Sequence, residues 1–424
     1  MRIFCLSFLL SNQQESSPPL SSFSLSLSLG FGGGTASSSS LGRKKNRKNK
    51  KKPENSHKSK YESDVSETTR ALVQWLNDEE VEGLDDCKIG FGRKGENIIF
   101  DGDGDSLLRG IFARRDFVSG EYIMAVPFVS TLLVDESFEV SSSSNSDVSV
   151  SDNFKLRAGE PIIGLKFWQQ FLNKKSNEKN GENNNRYTAY LDCLPMESDD
   201  PNFDSTPDFW SDEDIRKLEI PTLVDKMLSR KREIEELVRK PYDDAPSSFA
   251  ALQQACYIVQ TRAFTTYKKA IDLDGNTGLL SRVVLIPFID MLNHASRTES
   301  NAKMEVVETK EYDESFYALV ATTSIPMGSE IKINYGSGEE TSFELFCRYG
   351  FLPSKSSRND HDDDMTYKEQ ERAALENLVL PQGKTIAWST SLEDDLAALR
   401  TNIGRTEPMR SILLLRIEAK SCLL

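Results

Sequence analysis

Two stretches of the sequence decide the fold: residues 286–294, IPFIDMLNH, and residues 333–351, INYGSGEETSFELFCRYGF. The first is an apolar strand pattern that leads into D-x-x-N-H. The second is a strand that ends in N-Y-G, followed by a helix over residues 342–349. Gly350 follows that helix, and glycine is a common C-terminal cap because it adopts the left-handed conformation without strain. A chance combination of these features, in this order and about forty residues apart, is improbable.

Further strand and helix patterns surround the two stretches. Strands are predicted at residues 110–117 and 122–126, which Ser119 and Gly120 would join as a hairpin. Other strand patterns, rich in β-branched and aromatic residues, occupy residues 283–288, 304–308, 316–322 and 330–334. Helical patterns occupy residues 68–77, 211–218, 222–240 and 249–269, and Ser211 with Asp214 has the pattern of a capping pair at the start of the second. The predicted fold class is α+β: a β-rich core with a helical insert at about 160–270 and a further helical segment at 366–424.

The first 66 residues have a different composition from the rest. They are rich in Ser, Gly, Lys and Asn and cannot bury enough apolar surface to fold, so we expect a disordered basic leader or a transit peptide. Residues 16–40 are Ser-rich and acid-poor, which resembles an organelle transit peptide. Residues 43–52, RKKNRKNKKK, are equally typical of a nuclear signal. The composition favours the chloroplast or another plastid over the cytoplasm and the nucleus.

Charge separates the leader from the body of the chain. Residues 1–60 hold eleven Lys and Arg against Glu15 and Glu54, a net charge of +9. Because the whole chain has a net charge of −14, the remaining residues carry a net charge of −23. An acidic body disfavours binding to phosphates, which argues against nucleic acid as the main substrate. A basic segment of a protein is a better partner for the acidic body of the chain.

Cysteine spacing and hydropathy predict neither a metal site nor a membrane span. The six cysteines lack the C-x-x-C spacing of zinc sites and are interpreted as reduced thiols. No apolar run reaches the length of about eighteen residues that a transmembrane helix requires.

The quoted motifs closely resemble the signature of SET-domain protein methyltransferases. Three further motifs occur in the order found in the Rubisco large-subunit lysine N-methyltransferase family: YLDCLP at 190–195, FWS at 209–211 and TRAF at 261–264. The resemblance implies a SET domain over residues 67–353 that contains the helical insert. It also implies that residues 366–424 are a shortened form of the family's helical substrate-binding domain.

The resemblance further implies an S-adenosyl-L-methionine-dependent protein-lysine N-methyltransferase that acts on a non-histone protein and requires no metal. Tyr335 and Tyr349 are the expected catalytic residues, and Tyr335 would align the substrate amine with the methyl group. Arg262 would approach the carboxylate end of the cofactor, whereas a structural role is favoured for Asp290. The full set of expected cofactor-binding residues is Arg109, Gly110, Ile111, Arg262, Asp290, Asn293, His294 and Tyr335.

One departure from the family keeps other interpretations open. Where such enzymes have a G-x-G turn, this chain has Leu108, Arg109 and Gly110, so only one glycine remains. A catalytically silent SET fold that binds proteins is therefore an alternative, as is a protein-histidine methyltransferase. A histone enzyme is supported by the basic leader alone, and the zinc-binding cysteine cluster of many histone-directed SET domains is absent. Taken singly, His294, Tyr335 and Arg262 would be structural residues.

Overall fold

A computed structural model of the chain describes residues 4–6, 61–64, 66–93, 107–140, 157–173, 186–195, 206–240, 246, 248–271, 277–309, 315–336, 342–352, 372, 386–401 and 408–423. Within the expected leader, the Ser-rich stretch at 16–40 and the basic run at 43–52 lie outside these residues, whereas Phe4–Leu6 and Tyr61–Ser63 form strands. The cellular location therefore stays a prediction from composition.

Two β-sheets form the centre of the described structure. The strands are β1 (Phe4–Leu6), β2 (Tyr61–Ser63), β3 (Cys87–Arg93), β4 (Leu107–Ala113), β5 (Tyr122–Pro127), β6 (Leu132–Val140), β7 (Phe264–Ile271), β8 (Thr277–Leu285), β9 (Asn293–His294), β10 (Ala302–Val307), β11 (Phe316–Ala321) and β12 (Glu330–Ile333). The larger sheet has the order β2-β3-β4-β12-β10-β11-β5, and β9 pairs with β12 outside this path. The smaller sheet has the order β1-β7-β8-β6.

Helices lie between β2 and β3, in the insert between β6 and β7, and after β12. They are α1 (Glu67–Asp78), α2 (Pro161–Phe167), α3 (Thr188–Leu191), α4 (Asp212–Arg216), α5 (Pro221–Arg239), α6 (Phe249–Arg262), α7 (Ser342–Tyr349), α8 (Leu392–Leu399) and α9 (Met409–Leu423). Single 3-10 turns lie at Leu84–Asp86, Phe128–Ser130, Arg157–Gly159, Pro207–Phe209 and Ile289–Met291, and a π-helical turn lies at Trp168–Leu172. The mixed fold class, with a β-rich core and a helical C-terminal segment, is confirmed.

Local sequence signals account for several of these boundaries. The Ser211 side chain accepts a hydrogen bond from the backbone of Asp214 (3.0 Å) at the start of α4, as an N-cap does. At the end of α7, Gly350 has φ +74° and donates its N–H to the carbonyl of Phe346 (2.8 Å). Both contacts were expected from the sequence, and they fix where each helix begins or ends.

The C-terminal helices share a core with the insert. Ile412 and Leu415 of α9 are fully buried in one apolar cluster with Phe346 of α7 and with Ile215 and Leu223 of the insert helices α4 and α5. A separate, larger cluster lies between the sheets and includes both predicted catalytic tyrosines. The described residues between Tyr61 and Leu423 belong to one compact unit, in which the described part of the C-terminal segment packs against the insert.

Two predictions of secondary structure were wrong. The strands β4 and β5 do not form a hairpin, because β4 pairs with β3 and β12 while β5 pairs with β11. Phe117, in the connection, bridges instead to Ile325 in the turn before β12. The helix predicted at 249–269 ends at Arg262, after which β7 begins. The run Phe264-Thr-Thr-Tyr267 is rich in strand-forming residues, and pairing with β8 decides its conformation.

No helix of the described residues is long and apolar enough to cross a membrane.

Candidate active site

Strand pairing brings the two quoted sequence stretches together. β9 runs parallel to β12, with Asn293 opposite Lys332 and His294 opposite Ile333. The turn before β9 contains Phe288, whose φ of +71° is a strained conformation for a residue other than glycine. Phe288 is buried in the main core, which holds it there. The chain thereby delivers D-x-x-N-H to the end of the strand that carries N-Y-G.

Gly110 of β4 lies against the Asn293 side chain. Asn293 Nδ2 donates to the carbonyl oxygen of Arg109 (3.1 Å) and to the carboxylate of Glu330 (2.5 Å). A Cβ atom at position 110 would lie 2.8 Å from Asn293 Nδ2 and 2.6 Å from Glu330 Oε1. Such contacts are too short, so a glycine is required here for Asn293 to hydrogen-bond to the backbone of β4.

His294 is a half-buried neutral imidazole. Its Nδ1 accepts a hydrogen bond from the backbone N–H of Tyr335 (3.0 Å), which places the ring proton on Nε2. Burial, with a smaller contribution from the positive charge of Lys332, lowers the pKa of His294 to about 3. The ring therefore stays uncharged near neutral pH and donates only through Nε2.

Tyr335 lies at the centre of an aromatic cluster. Its hydroxyl donates to the carbonyl of Leu292 (2.7 Å), and its side chain is almost completely buried. The Tyr335 ring centroid lies 4.9 Å from those of both His294 and Tyr349 and 6.4 Å from that of Phe351. These four rings pack together as an aromatic wall. The Tyr335 hydroxyl and His294 Nδ1 each have a hydrogen-bond partner within the protein.

A buried charge cluster lies next to this wall. Arg262 Nη1 and the Tyr190 hydroxyl both donate to Oδ2 of Asp290, at 3.1 and 3.0 Å. Burial, followed by the charge of Asp290, raises the pKa of Tyr190 well above its usual value, so the phenol remains protonated. Among the described residues, Arg262 Nε and Asp290 Oδ1 are buried and have no hydrogen-bond partner. The hydrogen-bonding capacity of both atoms is therefore unused within the described residues.

Two of the predicted site residues, Arg109 and Ile111, contribute backbone or packing. The guanidinium of Arg109 pairs with Asp64 (2.9 Å), so only its carbonyl reaches Asn293. Ile111 is fully buried opposite Ile331 in the sheet. Leu108, in β4, pairs through its backbone with Gly92 of β3. The Leu108 side chain lies outside the described part of the chain.

Sequence reasoning missed Glu330, Tyr190 and Phe351 as members of the site. Tyr190 and Phe351 stood inside recognised motifs, which was a signal that could have been used. Glu330 is five residues before Tyr335 on a strand, and strand alternation alone does not show that it meets Asn293. Among the residues that the structure describes, no group of His, Cys, Asp and Glu could hold a metal ion.

A family model described as the SET domain matches residues 108–336, more than half of the chain. The chain belongs to the SET-domain family. The SET match begins in β4 and ends at Gly336, so it includes the region of Gly110, Asn293 and Tyr335, whereas Tyr349 lies beyond it.

Two curated relatives match parts of this SET protein. Human N-lysine methyltransferase SETD6 is 25% identical over 179 residues, which is 40% of this chain and 36% of SETD6. SET domain-containing protein 4 of Artemia parthenogenetica is 28% identical over 123 residues, 28% of this chain and 27% of that protein. The matched part thus spans about a third of SETD6 and about a quarter of the Artemia protein.

Solved structures of similar proteins are more distant in sequence. The SET domain of LSMT, crystallised with lysine and AdoHcy, is 14% identical with a TM-score of 0.49, over 85% of this chain and 89% of that one. Rubisco LSMT bound to AdoMet is 15% identical with a TM-score of 0.46, over 84% and 90%.

Proposed function

We propose that this SET protein is an S-adenosylmethionine-dependent protein-lysine N-methyltransferase with a non-histone substrate. The observation that supports the proposal most is the convergence of Gly110 of β4, Asn293 and His294 of β9, and Tyr335 just after β12. The names of SETD6 and of the LSMT structures are consistent with this activity.

The polar groups of the site fit a zwitterionic cofactor. Asn293 and His294 would hold it through backbone and side-chain hydrogen bonds beside Gly110. The buried Arg262 Nε is a donor suited to a carboxylate, and the buried Asp290 Oδ1 is an acceptor suited to an ammonium group. When bound, S-adenosylmethionine supplies an activated methyl group.

Tyr335 is proposed to position the acceptor amine. Its proton is donated to the Leu292 carbonyl, so its oxygen can only accept a further hydrogen bond. An N–H of the amine can donate to this oxygen, which fixes the direction of the nitrogen lone pair. Because methyl transfer moves a positive charge and creates no new one, alignment matters more than stabilisation of a developing charge.

The rings of Tyr335, Tyr349 and Phe351 in the aromatic wall would also favour the uncharged, reactive form of the amine. A lysine must lose its proton before it can act as a nucleophile. Exclusion of water by buried rings disfavours the ammonium form and lowers the pKa of the incoming lysine. His294 does not serve as the base, because its Nδ1 already accepts the N–H of Tyr335 and its other nitrogen is protonated.

The proposal is tested first by calorimetric titration of S-adenosylmethionine into the full chain. We expect Asn293→Ala to weaken binding by about tenfold or more, the effect of losing one strong hydrogen bond. Arg262→Lys keeps the charge beside Asp290 but removes Nε, and it should weaken binding as well. Tyr335→Phe should bind normally yet lose transfer of a tritiated methyl group to proteins of a cell extract, whereas Tyr267→Phe, in β7, should do both normally.

The outcomes separate the alternatives. Mass spectrometry of the labelled product distinguishes a methylated lysine from a methylated histidine. A well-folded chain that does not bind S-adenosylmethionine would contradict the proposal and favour a silent SET fold that binds proteins.

A further inference from the structure

A groove of about 350 Å³ lies at the β5 edge of the larger sheet, away from the site described above. The segment that follows α1 forms one wall, since Glu82 pairs with Ala125 of β5 through two backbone hydrogen bonds of 3.1 and 3.2 Å. Gly83 has φ +85°, and a Cβ there would collide with the carbonyl of Ile123, so the close approach of the two walls depends on this glycine.

The groove combines negative charge with apolar surface. Its lining includes Glu80, Glu82, Asp86, Tyr122 and Phe316, and no lysine or arginine is among the described residues that line it. Asp86 pairs with Arg115 (2.8 Å). Glu80 and Glu82, in contrast, form no ion pair with described residues. The Tyr122 side chain is 55% exposed, which is unusual for a large ring.

A chain of polar contacts links the groove to exposed apolar side chains outside it. Arg115, which pairs with Asp86, also pairs with Glu121, and Glu121 accepts the backbone N–H of Val118 (2.9 Å). Val118 is 65% exposed, and Met327, in the turn before β12, is 67% exposed. The acidic groove itself contains the exposed ring of Tyr122.

Glu80 occupies a position that favours glycine. The N–H of Val81 donates to the carbonyl of Leu76 (3.0 Å) and that of Glu80 to Asn77 (3.1 Å), the pattern of a helix C-terminus that turns through a left-handed residue. Glu80 is that residue, with φ +59°. Glycine would adopt this conformation without strain. A residue other than glycine therefore costs stability at this position. The residue present, Glu80, lines the groove.

We infer that this groove binds a lysine- or arginine-rich segment of a partner protein. Charge complementarity determines the occupant: one cationic side chain would lie between Glu80 and Glu82 and over the face of Tyr122, where both carboxylates and the ring attract it. An apolar side chain of the same segment would lie against Phe316. The surface goes beyond the proposed methyl transfer, because binding here requires neither cofactor nor Tyr335.

The test is binding of a short fluorescein-labelled peptide with a Lys-Lys-Leu repeat to the full chain, measured by fluorescence anisotropy without cofactor. The double variant Glu80→Gly with Glu82→Gln should bind about tenfold more weakly, since each exposed ion pair contributes a factor of a few. Glu80→Gly should not lower the unfolding midpoint, because glycine suits the position, so misfolding cannot account for the loss.

A matched double variant controls for net charge. Glu233→Gln with Glu236→Gln removes the same charge from the exposed face of α5 and should leave the affinity unchanged. Binding of the basic peptide should weaken as salt is raised. Equal losses in the two double variants would overturn the inference, as would failure of the basic peptide to bind. Equal binding of a Gln-Gln-Leu repeat would show an apolar occupant and overturn it too.

Discussion

Replacement of Gly110 by alanine tests whether the contact between β4 and Asn293 organises the site. The added methyl group would lie 2.8 Å from Asn293 Nδ2 and 2.6 Å from Glu330 Oε1, so both side chains have to move. Asn293 would then lose its hydrogen bonds to the Arg109 carbonyl and to the Glu330 carboxylate.

The energetic cost follows from these two contacts. A neutral hydrogen bond contributes about 1 kcal/mol and one to a carboxylate about 2 kcal/mol, so their loss costs about 3 kcal/mol. Alanine restricts the unfolded chain more than glycine does, which offsets about 0.5–1 kcal/mol. The net destabilisation is about 2 kcal/mol.

Two assays measure the effect of Gly110→Ala. Urea unfolding should show the loss of stability, and calorimetry should show weaker binding of S-adenosylmethionine because Asn293 is displaced. Gly159→Ala is the control, since a Cβ there meets nothing closer than 3.9 Å. It should be neutral or slightly stabilising. Unchanged stability together with unchanged cofactor binding in Gly110→Ala would refute the reasoning.

Two further predictions concern buried charge. The pKa of His294 is lowered from 6.5 to about 3 in the folded chain, so the unfolded chain binds the proton first as pH falls. The free energy of unfolding should therefore fall by about 1.4 kcal/mol per pH unit from pH 6.5 towards 3. His294→Gln should lessen this slope, as measured by urea unfolding at several pH values. Asp395 pairs with Arg416 (3.1 Å) and Lys420 (2.5 Å) between α8 and α9. Asp395→Ala leaves Lys420 without an ion pair among the described residues and Arg416 with Glu219 alone (3.2 Å), so it should cost about 3 kcal/mol. The exposed Glu393→Ala should change little, and equal effects would contradict a special role for the buried Asp395.

Local motifs predicted the ends of elements well because their causes are local. The cap at Ser211 and the left-handed Gly350 each depend on hydrogen bonds within a few residues, so the sequence contains all that is needed. Strand partners depend on distant residues. The hairpin expected between β4 and β5 failed for this reason: a Ser-Gly turn is compatible with a hairpin, but pairing of β4 with β12 is set elsewhere in the chain.

The same contrast between features that local sequence determines and features that distant residues determine holds for the site. The motifs identified Asn293, His294 and Tyr335, which the structure brings together through β9 and β12. Which atom of a residue takes part was not visible in the sequence. Arg109 was expected among the cofactor-binding residues, and in the structure its guanidinium pairs with Asp64 while its carbonyl lies beside Asn293; whether its backbone binds the cofactor stays a prediction.

Helix α7 connects the site to the C-terminal helices. Tyr349, at its end, packs against Tyr335 in the main core, whereas Phe343 and Phe346 belong to the cluster formed with α9 and the insert. The ring of Tyr349 is thus positioned by a helix whose other side depends on the packing of α9. Loosening α9 through Asp395→Ala should therefore disturb the aromatic wall as well as stability. The C-terminal segment supports the geometry of the site without contributing a side chain to it among the residues that the structure describes.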